Sequence, residues 1–156
     1  MEESIIDFSD LIRKQFQLPS ADMKTYSPLT LAYIGDSIYD LVIRTMVVER
    51  GNAPVNRLHK TVTNMVKAPA QMKSFHRIEP VLTKEELTVY KRGRNAKSYT
   101  SAKNASISDY RVATGFEALM GYLYLTGQVP RMLELINMGL ISDQSGKYMK
   151  EQEIFK

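Results

Sequence analysis

The segment from Ser27 to Gly51 constrains the fold more than any other, because it reads as one long helix. Ser27 is an N-cap residue, and Pro28 takes the first helical position, where a missing N–H costs nothing. From there Leu31, Ile34, Ile38, Leu41 and Val42 recur at the spacing that lines one face of a helix. Gly51 supplies the stop. No part of the chain shows the period-two alternation of a half-buried strand, so the expected class is all-α.

The same reading places the remaining helices. A first covers roughly Ser9 to Gln17, with Leu11, Ile12 and Phe16 at helical spacing. A third starts near Val55, carries Leu58, Val62, Met65 and Val66 on one side, and is kinked or interrupted at Pro69. Thr83-Lys84-Glu85-Glu86 is a capping box that opens a short helix through Leu87 and Tyr90. The stretch from Gly93 to Ile107, rich in Asn, Ser, Ala and Lys, is expected to be an exposed loop. A long helix follows from about Ser108 with Val112, Phe116, Leu119, Met120 and Leu123, and Gly127 ends it. Pro130 opens a last helix through Leu133 and Ile136, and the tail from Ser142 is polar.

At 156 residues the chain is expected to form a single domain over 1–156, with its core between about 28 and 140. It has no cysteine, which excludes disulfides and thiolate metal sites. Its two histidines, His59 and His76, have no ligand-spaced partners, so any metal must be a hard cation on carboxylates. The N-terminus is acidic, with no apolar signal core, and nowhere do about 18 apolar residues follow one another. A cytoplasmic protein without a membrane partner is the expectation. The net charge of +4 is modest, but its distribution is uneven. Between Lys91 and Lys103 stand five basic residues (Lys91, Arg92, Arg94, Lys97 and Lys103) and no acid, a patch that points to nucleic acid.

Asp36 and Asp40 stack one turn apart on the second helix. Gly35 beside them costs a helix about 1 kcal/mol relative to alanine, so a close approach must offset it. That approach is either by another helix, leaving Asp36 a solvated surface residue, or by a ligand at Asp36. Glu117 interrupts an otherwise apolar run, Gly115 to Gly121, where an unpaired buried charge is costly. It either occupies the helix's polar edge or has a cation partner such as Arg111 or Arg44. Two carboxylates on two helices are also what a Mg²⁺ site uses, together with waters and a substrate phosphate. Spacing alone does not bring them together.

Tyr33-Ile34-Gly35-Asp36-Ser37-Ile38 resembles the signature helix of the ribonuclease III family, and Phe116-Glu117-Ala118-Leu119-Met120-Gly121 resembles that family's second motif. The two stand in the family's order, and the similar region spans roughly Pro28 to Gly127. Where the family carries further acids this chain has Leu29, Ala32 and Thr114, leaving Asp36 and Glu117 as its metal-binding pair. That reduced set, together with the segment Lys91-Arg92-Gly93-Arg94-Asn95-Ala96-Lys97, is similar to the compact Mini-ribonuclease III branch. The resemblance implies the helical catalytic-domain fold without a double-stranded-RNA-binding domain. It also implies a homodimer, Mg²⁺ (or Mn²⁺) on Asp36 and Glu117, and hydrolysis to 5′-phosphate and 3′-hydroxyl ends. The implied substrate is double-stranded RNA, in particular the two ends of precursor 23S ribosomal RNA, with a ribosomal protein as an assisting partner.

Lys91, Arg92, Arg94, Asn95, Lys97 and Lys103 are the expected RNA contacts, since a duplex is read through phosphates and 2′-hydroxyls. Asp40, Ser37 and Thr114 are candidates for an outer shell, and Asp40 serves equally as an ion-pair partner of Arg44. The competing function is a non-catalytic RNA-binding or ribosome-associated helical module. A helical protein-interaction domain is a third reading, which the acid-free basic segment disfavours.

Overall fold

The computed structural model describes residues 7–97 and 106–140; Lys103, the polar tail from Ser142 and the middle of the expected loop lie outside them. Seven α-helices account for most of these residues: α1 (Phe8–Gln15), α2 (Pro28–Arg50), α3 (Val55–Val66), α4 (Ala68–Ile78), α5 (Lys84–Asn95), α6 (Ile107–Leu125) and α7 (Val129–Leu140). Single 3-10 turns sit at Met23–Thr25 and Glu79–Val81, and the described residues contain no strand. The class is all-α.

Each boundary has a local cause. Ser27 caps α2, its hydroxyl accepting from the Leu29 N–H at 3.2 Å, and Gly51 follows the last turn. The break between α3 and α4 comes two residues ahead of Pro69, at Lys67, which is extended. Proline offers no N–H to the carbonyl of Met65 and crowds it, so one helix ends and a second begins with Pro69 in its first turn. Of the two expected outcomes at Pro69, a kink or an interruption, the chain takes the interruption, and α4 is a helix in its own right. Thr83 forms the capping box with Glu86, through bonds of 3.1 Å and 2.8 Å. Gly127 ends the α6 region in the left-handed conformation, at φ 73°.

One expectation needs correcting. Helix α5 does not stop near Tyr90 but runs on to Asn95, so Lys91 to Asn95 are helical rather than part of a loop. Gly93 is tolerated there because it lies against α6, where a Cβ would meet Gly115 Cα at 2.9 Å and Ala118 Cβ at 2.8 Å. Close packing outweighs the glycine's intrinsic cost.

Helix α6 is the axis of the molecule. Its residues Val112 to Tyr124 are buried except Glu117, and α2, α4, α5 and α7 pack around it. Tyr39 meets Phe116 edge-on at 5.1 Å between ring centroids, and Phe75 stacks on Tyr90 at 3.7 Å. Leu31, Ile43, Ile78, Leu119, Leu123 and Leu135 fill the space between them. Arg131 of α7 clamps the start of α5. Its guanidinium donates two bonds of 2.9 Å to the buried Glu86 carboxylate and one of 2.9 Å to the Val81 carbonyl. That fork holds the Glu86 carboxyl below the ordinary glutamate range, chiefly through the hydrogen bond from Arg131.

Candidate active site

The site is made by the crossing of α2 and α6. A Cβ placed on Gly35 would lie 1.7 Å from the Glu117 carbonyl oxygen, and one on Gly121 would lie 2.0 Å from the Leu31 carbonyl oxygen. Only backbones bare of side chains approach so closely. The approach resolves the mid-helix glycine, since another helix occupies the space beside Gly35. It also answers the question about Asp36, because the same crossing sets Asp36 beside Glu117.

The two carboxyl groups come within hydrogen-bonding reach of each other. Asp36 is exposed, whereas Glu117 is half-buried. Burial pushes the Glu117 carboxyl up to about 8, and the charge of Asp36 and a hydrogen bond to it add to the rise. Glu117 has no cation partner among the described residues. Arg44, one of the expected partners, instead pairs at 2.6 Å with Asp40, one turn before it on the same helix. The ion-pair reading of Asp40 is thus the one the geometry favours. Burial also pushes the Tyr39 hydroxyl up to about 12, with the Glu117 charge a lesser contribution.

Where two carboxylates share a site, one is held protonated unless a cation relieves the repulsion. Both donors are hard oxygens, one open to solvent, and they suit an octahedral ion that keeps most of its waters. Among the described residues no cluster of three or more Asp, Glu, His or Cys occurs. The positions that distinguish this chain contribute no further carboxylate. Ala32 is buried, Thr114 is buried with its hydroxyl donated to the Tyr110 carbonyl at 2.9 Å, and the side chain of Leu29 is apolar. Ser37 is exposed next to Asp36.

The cationic end of α5 lies close by. A Cβ on Gly93 would lie 3.2 Å from the Thr114 carbonyl oxygen, so the part of α5 that carries Lys91, Arg92, Arg94 and Asn95 packs against α6 about one turn before Glu117. Lys91, Arg92, Asn95 and Lys97 are exposed. Arg92 donates to the Tyr26 carbonyl at 3.3 Å. Arg94 is half-buried, bonds Asn95 at 3.3 Å and lies 5.7 Å from the centre of the Tyr90 ring.

With this geometry in hand, likeness to known proteins is decisive. The ribonuclease III domain family matches residues 29–128, which include both acids and the crossing glycines. The chain belongs to the ribonuclease III family, in its Mini-ribonuclease 3 branch. A Mini-ribonuclease 3 of Clostridium tetani is 47% identical over 131 residues, covering 81% of this chain and 87% of that one. That of Enterococcus faecalis is 52% identical over 118 residues, covering 74% of this chain and 89% of its own. A crystal structure of a Fusobacterium nucleatum protein matches with a TM-score of 0.69 at 30% identity, covering 76% of this chain and 94% of that one. Membership makes this a ribonuclease III-type endoribonuclease acting on double-stranded RNA, in a family that depends on divalent metal. No helix among the described residues is long and apolar enough to cross a membrane.

Proposed function

We propose that Asp36 and Glu117 hold Mg²⁺, with Mn²⁺ an acceptable substitute on the same oxygen donors, and that this pair directs hydrolysis of the RNA backbone. The observation that carries the reading is the crossing at Gly35 and Gly121, which brings two carboxyls together with no cation of the described chain between them. When bound, such an ion supplies an activated water and stabilises charge developing on the phosphate. Glu117 must give up the proton that its surroundings favour before it ligates, so metal uptake is coupled to proton release. Asp36, on the open side, faces the incoming phosphate. Arg44 restrains Asp40, leaving Asp40 and Ser37 as polar neighbours of the site rather than ligands, and Thr114 braces its own helix one turn before Glu117. Water as the attacking group leaves 5′-phosphate and 3′-hydroxyl ends.

The duplex is held along Lys91, Arg92, Arg94, Asn95 and Lys97, with Lys103 further along the same segment, through phosphates and 2′-hydroxyls. Two sites on two strands require two copies, and a two-fold dimer supplies them. An exposed apolar stripe on α2, comprising Tyr33 (80% exposed), Leu41 and Val48, supports such a homodimer, which sedimentation of the purified chain tests. The resemblance to Mini-ribonuclease III points to both ends of precursor 23S ribosomal RNA as the substrate, in the cytoplasm, with a ribosomal protein shaping it.

The test is incubation of a long RNA duplex and of a precursor ribosomal RNA with the chain, in Mg²⁺ or in EDTA, beside Asp36→Asn. Cuts that require Mg²⁺ and vanish in the variant are expected. RNA that is bound but stays whole in both substrates would establish the non-catalytic module instead.

A further inference from the structure

A cavity of about 650 Å³ opens between the 3-10 turn at Met23–Thr25, α5 and the crossing of α2 with α6, and neither Asp36 nor Glu117 lines it. Its floor is apolar, with Leu31 and Val89 buried and Met23 half-buried. Its rim is cationic. Lys84 and Arg92 stand two turns apart on one face of α5, and Lys24 faces them from the 3-10 turn. All three are exposed, and among the described residues none of them pairs with a carboxylate. Arg92 donates only to the Tyr26 carbonyl, at 3.3 Å, which leaves most of its N–H groups without a partner. The one acid on the lining, Glu85, accepts from the buried Tyr122 hydroxyl at 2.6 Å through Oε1, and its second oxygen remains an acceptor.

These features select a class of ligand. Cations gathered around one cavity repel one another, and an anion that enters it relieves the repulsion. A carboxylate brings a single charge to three cations, whereas a diphosphate brings several, and an arginine fork takes phosphate oxygens in pairs. From Lys84 to Arg92 the helix rises about 12 Å, room for a ligand lying along α5 rather than for a lone phosphate. The volume falls within the usual range of small-molecule sites, about 300–1,000 Å³. An apolar floor beside a free carboxylate oxygen calls for a flat group that also carries an N–H donor, and a nucleobase supplies both. The exposed stripe of α2 that suits a second copy, Tyr33, Leu41 and Val48, takes no part in the lining.

We propose that this cavity binds a free nucleoside diphosphate, with the phosphates on Lys24, Lys84 and Arg92, the base on Met23, Leu31 and Val89, and an N–H of the base on Glu85. Arg92 cannot hold a nucleotide and a duplex at once, so the bound nucleotide competes with duplex RNA and the cavity acts as a regulatory site. That consequence rests on the proposed duplex contact of Arg92, whereas the binding itself does not.

The experiment is titration calorimetry of the full chain with ADP and with GDP in EDTA, so that no metal at the acids holds the phosphates. Binding of at least one of them is expected, with the matching nucleoside and pyrophosphate each weaker by about tenfold or more, because each makes only part of the contacts. Lys24→Gln together with Lys84→Gln should weaken the nucleotide by about tenfold or more and leave duplex cleavage without nucleotide at the parent's rate. Thr88→Phe, at an exposed position, fills the cavity without removing a charge and should have the same effect on the nucleotide. It carries the test should the double variant fold poorly. Asp36→Asn should bind as the parent does. Absence of binding by both nucleotides, unchanged affinity in the two cavity variants, or loss of binding in Asp36→Asn would overturn the site. In excess Mg²⁺ the nucleotide should slow duplex cleavage by the parent and not by Thr88→Phe. A nucleotide that binds in the cavity and leaves cleavage untouched would overturn the regulatory role and the duplex contact of Arg92, while the site itself and the catalytic acids stand.

Discussion

Replacing Gly35 by alanine tests the crossing on which the active site depends. The added methyl would lie 1.7 Å from the Glu117 carbonyl oxygen, 2.7 Å from its carbon and 2.8 Å from the Gly121 nitrogen. All three are backbone atoms of α6, so no side-chain rotation relieves the overlap. Carbon and oxygen come to rest at about 3.3 Å, and the two helices must therefore separate by roughly 1.5 Å at this point. A gap of that size forfeits a large share of the dispersion between facing groups. Overpacking of a well-packed core costs about 1–3 kcal/mol and occasionally more, and a backbone-on-backbone clash belongs at the upper end. Alanine returns about 1 kcal/mol of helix propensity, leaving a net loss of about 2 kcal/mol or more. For a chain of this size a loss of about 2 kcal/mol is a fall of roughly 4–8 °C in Tm, read by calorimetry or circular dichroism. Cleavage of duplex RNA should fall by a larger factor than stability explains, because separating α2 from α6 also separates Asp36 from Glu117. Gly139→Ala is the internal comparison. Its methyl would meet Ser74 Cβ at 3.0 Å and the Ser74 carbonyl oxygen at 3.3 Å, which a shift of a few tenths of an ångström relieves. That variant should melt within a degree or two of the parent. A Gly35→Ala chain that melts with the parent and cuts at the parent's rate would refute the close crossing.

Two further outcomes follow from the buried charges. The Glu117 carboxyl, at about 8 in the fold and near 4.5 in the unfolded chain, favours the folded state when protonated. Its contribution is complete below about 4.5 and is lost as pH rises to about 8, so the metal-free protein should lose stability across that window, by a few kcal/mol at most. Glu117→Gln should flatten the decline in EDTA. Mg²⁺ should raise the Tm of the parent at pH 8 and not that of the variant, and a parent curve as flat as the variant's would refute the assignment. Arg131→Met strands the buried Glu86 carboxylate and should cost about 3–5 kcal/mol in denaturant unfolding, while adding Glu86→Leu should recover much of the loss. Equal destabilisation in the single and double variants would show that the pair acts through packing rather than charge.

The helix starts and stops were legible because their causes are local. Ser27 and Pro28, the capping box at Thr83 and the glycines at 51 and 127 act within a turn of the boundary they set. Pro69 announced a break as well, though not that the chain would resume as a full helix beyond Lys67. The expectation failed at Gly93, where glycine among polar residues has the composition of a loop. What keeps the helix going to Asn95 is the surface of α6, whose Gly115 and Ala118 leave room for α5 to come close. That partner lies more than twenty residues along the chain, and no local rule reaches it.

The active site was legible for a different reason. A mid-helix glycine beside an acid, and an acid inside an apolar run flanked by glycines, are each costly in isolation, and cost without local compensation marks a contact made elsewhere. The sequence could not say that the two marks compensate each other. Gly35 needs the bare backbone around Glu117 and Gly121, and the same approach makes Asp36 the neighbour of Glu117. Salt bridges to Arg44 or Arg111 were equally consistent with spacing until the crossing put an acid, not a base, at that distance.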